Sequence, residues 1–206
     1  MKKKFASILI LNLLLINGSP LDAQPLSREA LSACPIFTSI KDIEQNPEQV
    51  YRLHLKRFRG DSLPEQVLRC SHLQELTVKH ARLQVLNHDI DRLSFLQYIN
   101  LEHNYLVQLP VSVCHLKYLK TLIISRNMLS SLPDDIGEMI ALETIEAWDN
   151  PLYQLPDAIS LLSTSLQLID LRQIGFRKSE IERIEQQLPH TQILYSNICE
   201  CKNGRE

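Results

Sequence analysis

The sequence predicts an α/β solenoid: a curved parallel sheet, short helical segments on its convex side, and a cap at each end. Repetition is the first observation behind it. Residues 96–118, 119–141 and 142–164 are consecutive segments of equal length, a period of 23. In each, apolar residues stand at positions 1, 4, 6, 11, 14, 18 and 21, and Asn stands at position 9. The second observation is the shape of that pattern. Neither a helical period of ~3.6 nor a strand period of ~2 generates it over a whole segment. One short strand followed by a return segment does, and a fixed period in this range marks a stacked array. The third is what flanks the repeats. A stacked array leaves its terminal cores open, and short amphipathic stretches lie on both sides of this one.

Composition agrees with an ordinary domain of aliphatic core. The chain has 206 residues, 44% of them hydrophobic but only 6% aromatic, so Leu, Ile and Val must fill the interior. A net charge of −2 gives no electrostatic reason to expect nucleic acid or an anionic membrane as partner.

The elements follow in order. Lys2, Lys3 and Lys4 precede an apolar run from Phe5 to Ile16, and Leu21-Asp22-Ala23-Gln24 offers a small residue at a cut. These are the three parts of a secretory signal peptide. The run is well short of the ~20 residues a membrane span needs. We therefore expect 1–23 to be a bacterial-style signal peptide, and the mature chain to be exported without membrane insertion. Leu31-Ser32-Ala33-Cys34 resembles a lipobox. It stands too far beyond the apolar run to be read as one, so Cys34 is expected to carry no lipid.

Residues 24–49 read as a linker and capping helix. Thr38-Ser39 before Ile40, Asp42, Ile43 and Glu44 is a hydroxyl cap with an acidic first turn, and Asn46-Pro47 stops it. Repeats with a C-terminal cap occupy 50–195, and 196–206 is a tail. Segment 50–72 has Phe58 in place of Asn. Segment 73–95 has Ala81 for Asn and Asn87 for Pro. A sixth strand starts one residue late at Leu166, so Ser163-Thr164-Ser165 holds an insertion. Where the Asn occurs, its amide can pair backbone groups freed at the turn. The Pro after position 14 (Pro64, Pro110, Pro133, Pro156) presets φ for the return segment. Ser179 with Glu182 reads as a capping box. Ile181, Ile184 and Leu188 then line one face of a helix ending at Pro189, and 192–195 can add a last strand.

The motif L-x-x-L-x-L-x-x-N is matched by Leu96, Ile99, Leu101 and Asn104, by Leu119, Leu122, Ile124 and Asn127, and by Leu142, Ile145, Ala147 and Asn150. On these residues the chain resembles the leucine-rich repeat family. Its L-x-x-L-P form is similar to repeats of plant disease-resistance proteins and animal signalling scaffolds. The lead-in FTSIKDIEQNPEQVYRLHL is similar to that of secreted bacterial members. The resemblance implies a leucine-rich-repeat solenoid whose function is protein binding.

Little suggests chemistry. No nucleophile motif, phosphate loop or H-E-x-x-H sequence occurs, so neither enzyme activity nor a cofactor is expected. Of the five Cys, Cys70 takes an apolar repeat position and is expected in the core, Cys114 on the convex surface, and Cys199-x-Cys201 in the tail. Bridging Cys34 to either tail Cys would span the array, roughly 25 Å across six strands at ~4.8 Å, and is excluded. His80 and His103 share position 8 of adjacent strands near Glu102. With two visible ligands they read as surface residues rather than a metal site.

The expected function is therefore non-enzymatic binding of an unidentified protein partner on the concave face; the alternative is a spacer with no dedicated partner. Strand alternation points positions 3, 5, 7 and 8 to that face. There Tyr98, Ile123 and Trp148 trace a diagonal apolar line, with Leu168 off it. Arg52, His54, Lys56, Arg57 and Lys79 make the first strands basic, and Glu146, Asp149 and Asp170 make the later ones acidic.

Overall fold

A computed structural model describes residues 24–196. The expected signal peptide and the tail with Cys199 and Cys201 lie outside the described residues. Eight strands form one parallel sheet in chain order: β1 Ile36–Phe37, β2 Arg52–His54, β3 Glu75–Thr77, β4 Tyr98–Asn100, β5 Thr121–Ile123, β6 Thr144–Glu146, β7 Leu168–Leu171 and β8 Gln192–Tyr195. Arg52, Glu75, Tyr98, Thr121 and Thr144 are register partners in succession. Thr144 then pairs with Leu168, one residue later than the repeat requires. The extra residue is absorbed at 163–165, where Leu166 N–H reaches back to Leu162 O at 2.8 Å.

One aliphatic core fills the space between sheet and return segments. In the third repeat Leu96, Ile99, Leu101, Leu106, Leu109, Val113 and Leu116 are each 7% exposed or less. Pro64, Pro110, Pro133 and Pro156 each stand at the N-cap of the return segment that follows, with φ between −69° and −58°. The segments are a short helix, α3 (Glu65–Leu68), and 310 turns at Val111–His115, Asp134–Glu138 and Asp157–Leu162. The second repeat has Asn87 instead of Pro, and its 310 turn is cut to Ile90–Arg92.

The Asn row forms the expected ladder. Asn127 Nδ2 donates to Leu101 O, Ile124 O and Ser125 O, and its Oδ1 accepts from Leu106 N–H at 3.0 Å. Asn104 and Asn150 repeat this pattern, each reaching one repeat back. The backbone beside each turn enters the left-handed region: Arg57, His80, His103, Arg126, Asp149 and Gln173, all at position 8 or its equivalent, have φ between 52° and 58°.

Three expectations are corrected. The sheet has more strands than the repeats alone predict, because the N-terminal stretch supplies β1. This stretch also holds a helix not read from sequence, α1 (Arg28–Ala33), capped by Ser27, whose Oγ accepts from Ala30 N–H at 3.2 Å. The expected cap helix, α2 (Ile40–Ile43), is capped by Ser39 and buries Ile43. Second, Cys114 is fully buried rather than on the convex surface. Its repeat position faces the neighbouring return segment, where a Cβ on the equivalent Gly137 would sit 2.6 Å from Ala158 O. Burial, with Asp135 and Glu138 nearby, pushes the Cys114 thiol up to about 12. Third, Ser179 and Glu182 form no capping box. Helix α4 (Lys178–Gln187) begins earlier, with Arg177 at its N-cap, and Glu182 lies 3.9 Å from Lys178.

Candidate interaction surface

The face of the sheet opposite the core is built from positions 3 and 5 of each strand, extended by positions 7 and 8 of the turns. Register brings Asn100 beside Ile123 and Ile123 beside Glu146. Tyr98, Ile123 and Trp148 therefore do step one strand over and two residues along, as the repeat numbering requires.

Their exposure is lower than a binding stripe suggests. Ile123 is 8% exposed, and Asn100 and Ser125 beside it are also buried. Tyr98 is half-buried, and its hydroxyl accepts from Asn100 Nδ2 at 3.2 Å. Trp148 is half-buried beneath Arg126, whose guanidinium carbon stands 4.6 Å from the ring centroid, within cation–π range. Strands ~4.8 Å apart bring long neighbouring side chains into contact, and here those neighbours cover the centre of the face.

The charges are sorted and partly neutralised. Glu75 accepts from Arg52 Nε at 2.6 Å and pairs with His54 Nε2. Burial opposes ionisation of Glu75, but bonds from Arg52 and His54 outweigh it and hold its carboxyl below the usual range. Lys79 pairs with Glu102, and Asp170 with Arg172 at 2.6 Å. Asp149 lies 3.8 Å from Arg126. Lys56 and Arg57 are exposed and form no ion pair among the described residues. Glu146 is the counterpart at the other end: burial first, then Asp170 and Glu102, raise its carboxyl above the usual range.

His80 and His103 lie ring to ring, 4.2 Å between centroids. No group of three His, Cys, Asp or Glu able to hold a metal occurs among the described residues.

Two features escaped the sequence. Residues before α1 cross the entry side of the strands: Leu26 N–H donates to Gln74 Oε1 and Gln97 Nε2 donates to Leu26 O, each at 2.9 Å. Between this strap and Tyr98, Thr121 and Thr144 opens a cleft of about 1110 Å³. The second is the opposite flank, where the chain leaves the strands. Tyr105, Val107, Met128, Tyr153 and Val85 stand there, each at least 50% exposed. The only signal for either was the identity of residues at repeat positions with no structural duty.

Fold and surface together define a class: a solenoid of strand-and-return units with one sheet face free of the core. The family model for a leucine-rich repeat region matches residues 49–191. The chain belongs to the leucine-rich repeat family, which marks it as a protein-interaction module. A leucine-rich repeat protein of Leptospira interrogans is similar in structure, with a TM-score of 0.62 and 23% identity over 82% of this chain and 51% of that one. A TDR receptor is similar with a TM-score of 0.61 and 22% identity, over 71% of this chain and 26% of the receptor. This chain thus spans about half of the first protein and a quarter of the second. At these identities the likeness is one of fold. No curated protein matches the sequence. Among the described residues no helix is long and apolar enough to cross a membrane.

Proposed function

We propose that this chain is an exported bacterial, non-enzymatic binding module that holds a protein partner on its concave face. The observation carrying this reading is the charge left over after internal pairing. Lys56 and Arg57 remain free beside β2, while Glu146 on β6 sits among other carboxylates. Four strand steps of ~4.8 Å put these ends roughly 19 Å apart. A partner of opposite gradient is oriented by them, with Trp148 and its Arg126 cover as the anchor. Affinity capture on the native cell envelope, using wild-type, Trp148→Ala and Tyr98→Ala proteins, tests this. We expect a protein retained by wild type and released by Trp148→Ala, with a loss of about 2 kcal/mol or more. Affinity unaltered from wild type in both variants overturns the reading in favour of a spacer module.

Export rests on the 1–23 pattern, and the proposed mature start at Gln24 fits the strap. Cleavage before Cys34 would remove Leu26 and α1, and the Cys34 thiol is itself buried. Intact mass of the native protein should match a chain from Gln24; a diacylglycerol adduct on Cys34 would refute this.

A further inference from the structure

A second surface lies on the flank where the chain leaves the strands, separate from the concave face. This flank is laterally continuous. Val85 N–H donates to Asp61 O at 3.0 Å, Tyr105 N–H to Leu83 O at 2.7 Å, Met128 N–H to Leu106 O at 2.9 Å and Tyr153 N–H to Ser130 O at 3.3 Å. These bonds tie the outgoing segments of successive repeats side by side. Along them Val85, Tyr105, Val107, Met128 and Tyr153 are between 50% and 66% exposed. Scattered exposed apolar residues are ordinary; an aligned set across neighbouring repeats is not. Of the large exposed hydrophobics, none lies at positions 3, 5, 7 or 8 of the repeats.

The same flank is basic at its N-terminal end. Arg59 and Arg82, at position 10 of the first two repeats, are exposed and form no ion pair among the described residues. Asp61, the one carboxylate in positions 9 to 13 of the five full repeats, is near Gln84 instead, at 3.5 Å from its Nε2. The flank therefore reads basic, then apolar, along the array.

We propose that this flank docks a polypeptide segment with acidic residues at one end and aromatic or aliphatic residues at the other. The charge is complementary at one end and the apolar residues supply contact area at the other. A lipid surface fits less well. The cations lie at one end instead of around the apolar residues, and Gln108, Ser130 and Gln154 are interleaved with them. Those side chains would be stranded in hydrocarbon but can hydrogen-bond a peptide backbone.

The test is selection of a random peptide library displayed on phage against the full chain, followed by affinity measurement on synthetic copies of the enriched peptides. Enriched peptides should carry an Asp or Glu cluster next to aromatic or aliphatic residues. Their binding should weaken about tenfold or more in Tyr105→Ser/Met128→Ser and in Arg59→Gln/Arg82→Gln proteins, and be unchanged in Trp148→Ala. Circular dichroism and thermal melting confirm that the variants fold. Should the apolar pair fail this check, the arginine pair decides alone. No enrichment, enrichment without that pattern, or binding lost only in Trp148→Ala overturns the proposal. So does binding to phosphatidylserine vesicles, but not to peptides, that the same flank substitutions abolish.

Discussion

Asn127 shows how much one side chain does here. Its amide pairs three carbonyls and one N–H, all inside the core. Truncation leaves several buried backbone groups unpaired, each costing ~1–3 kcal/mol. Asn127→Ala should therefore lower unfolding free energy by about 2 kcal/mol or more in urea titration. A loss under about 0.5 kcal/mol, the size of a bland surface change, would show that water replaces the amide. Glu146 makes the opposite kind of prediction. Its folded carboxyl is raised by burial and by Asp170 and Glu102. A raised acid disfavours the folded state once it ionises. Stability from this group is thus lost as pH rises from the ordinary carboxylate range through the raised value. Glu146→Gln should raise the melting temperature at pH 7 and change little at acid pH, below both values. Equal effects at both pH values would count against this assignment. The Asn row was legible because the same residue recurs at one position. Arg126 over Trp148 was not, since their meeting depends on rotamers of two neighbouring strands.

Among the elements, the two caps contrast. At the C-terminal end α4 covers the core with Ile181, Ile184 and Leu188, each 4% exposed or less. It also pairs the backbone of the fifth repeat. Glu180 Oε1 accepts from Leu155 N–H at 3.0 Å, and Arg183 Nη2 donates to Leu155 O at 2.7 Å. Burial disfavours the Glu180 charge, but Arg183 and the Leu155 amide outweigh it and hold its carboxyl low. Glu180→Ala and Arg183→Ala should each cost about 1–3 kcal/mol. Because they share Leu155, the double variant should cost less than the two losses added; strict additivity would show that they act apart. The helix was readable from its apolar spacing, yet its start was not. Ser179 looked like a cap, but α4 begins at Lys178, so Ser179 lies within the first turn. At the other end α1 and β1 have six and two residues. Such lengths are too short for a period to show, and β1 exists only because β2 lies beside it.

At the level of the molecule, stability in an array comes from each repeat's contact with its neighbours. Residues 24–49 carry α1, β1 and α2, and Leu26 of the strap bonds to both Gln74 and Gln97. Deleting 24–49 should lower the melting temperature. Amide exchange should quicken first around β2 and β3, while β5 and β6 keep their protection. An unchanged melting temperature would mean that the Val50 repeat tolerates an open end.

The sequence by itself determined the array: its repeat length, its inward residues, its Asn turns, and the late start of β7. A periodic core is a local signal, because every repeat buries the same positions against the same neighbour. The tertiary structure decided what the surfaces present. Exposure of Ile123 or Trp148 depends on side chains brought alongside from other repeats, and burial of Cys114 depends on how closely return segments pack. The strap over Gln74 and Gln97 joins residues about 50 and 70 apart in the chain. No pattern within one repeat encodes such a contact, since its free energy comes from groups that only folding brings together.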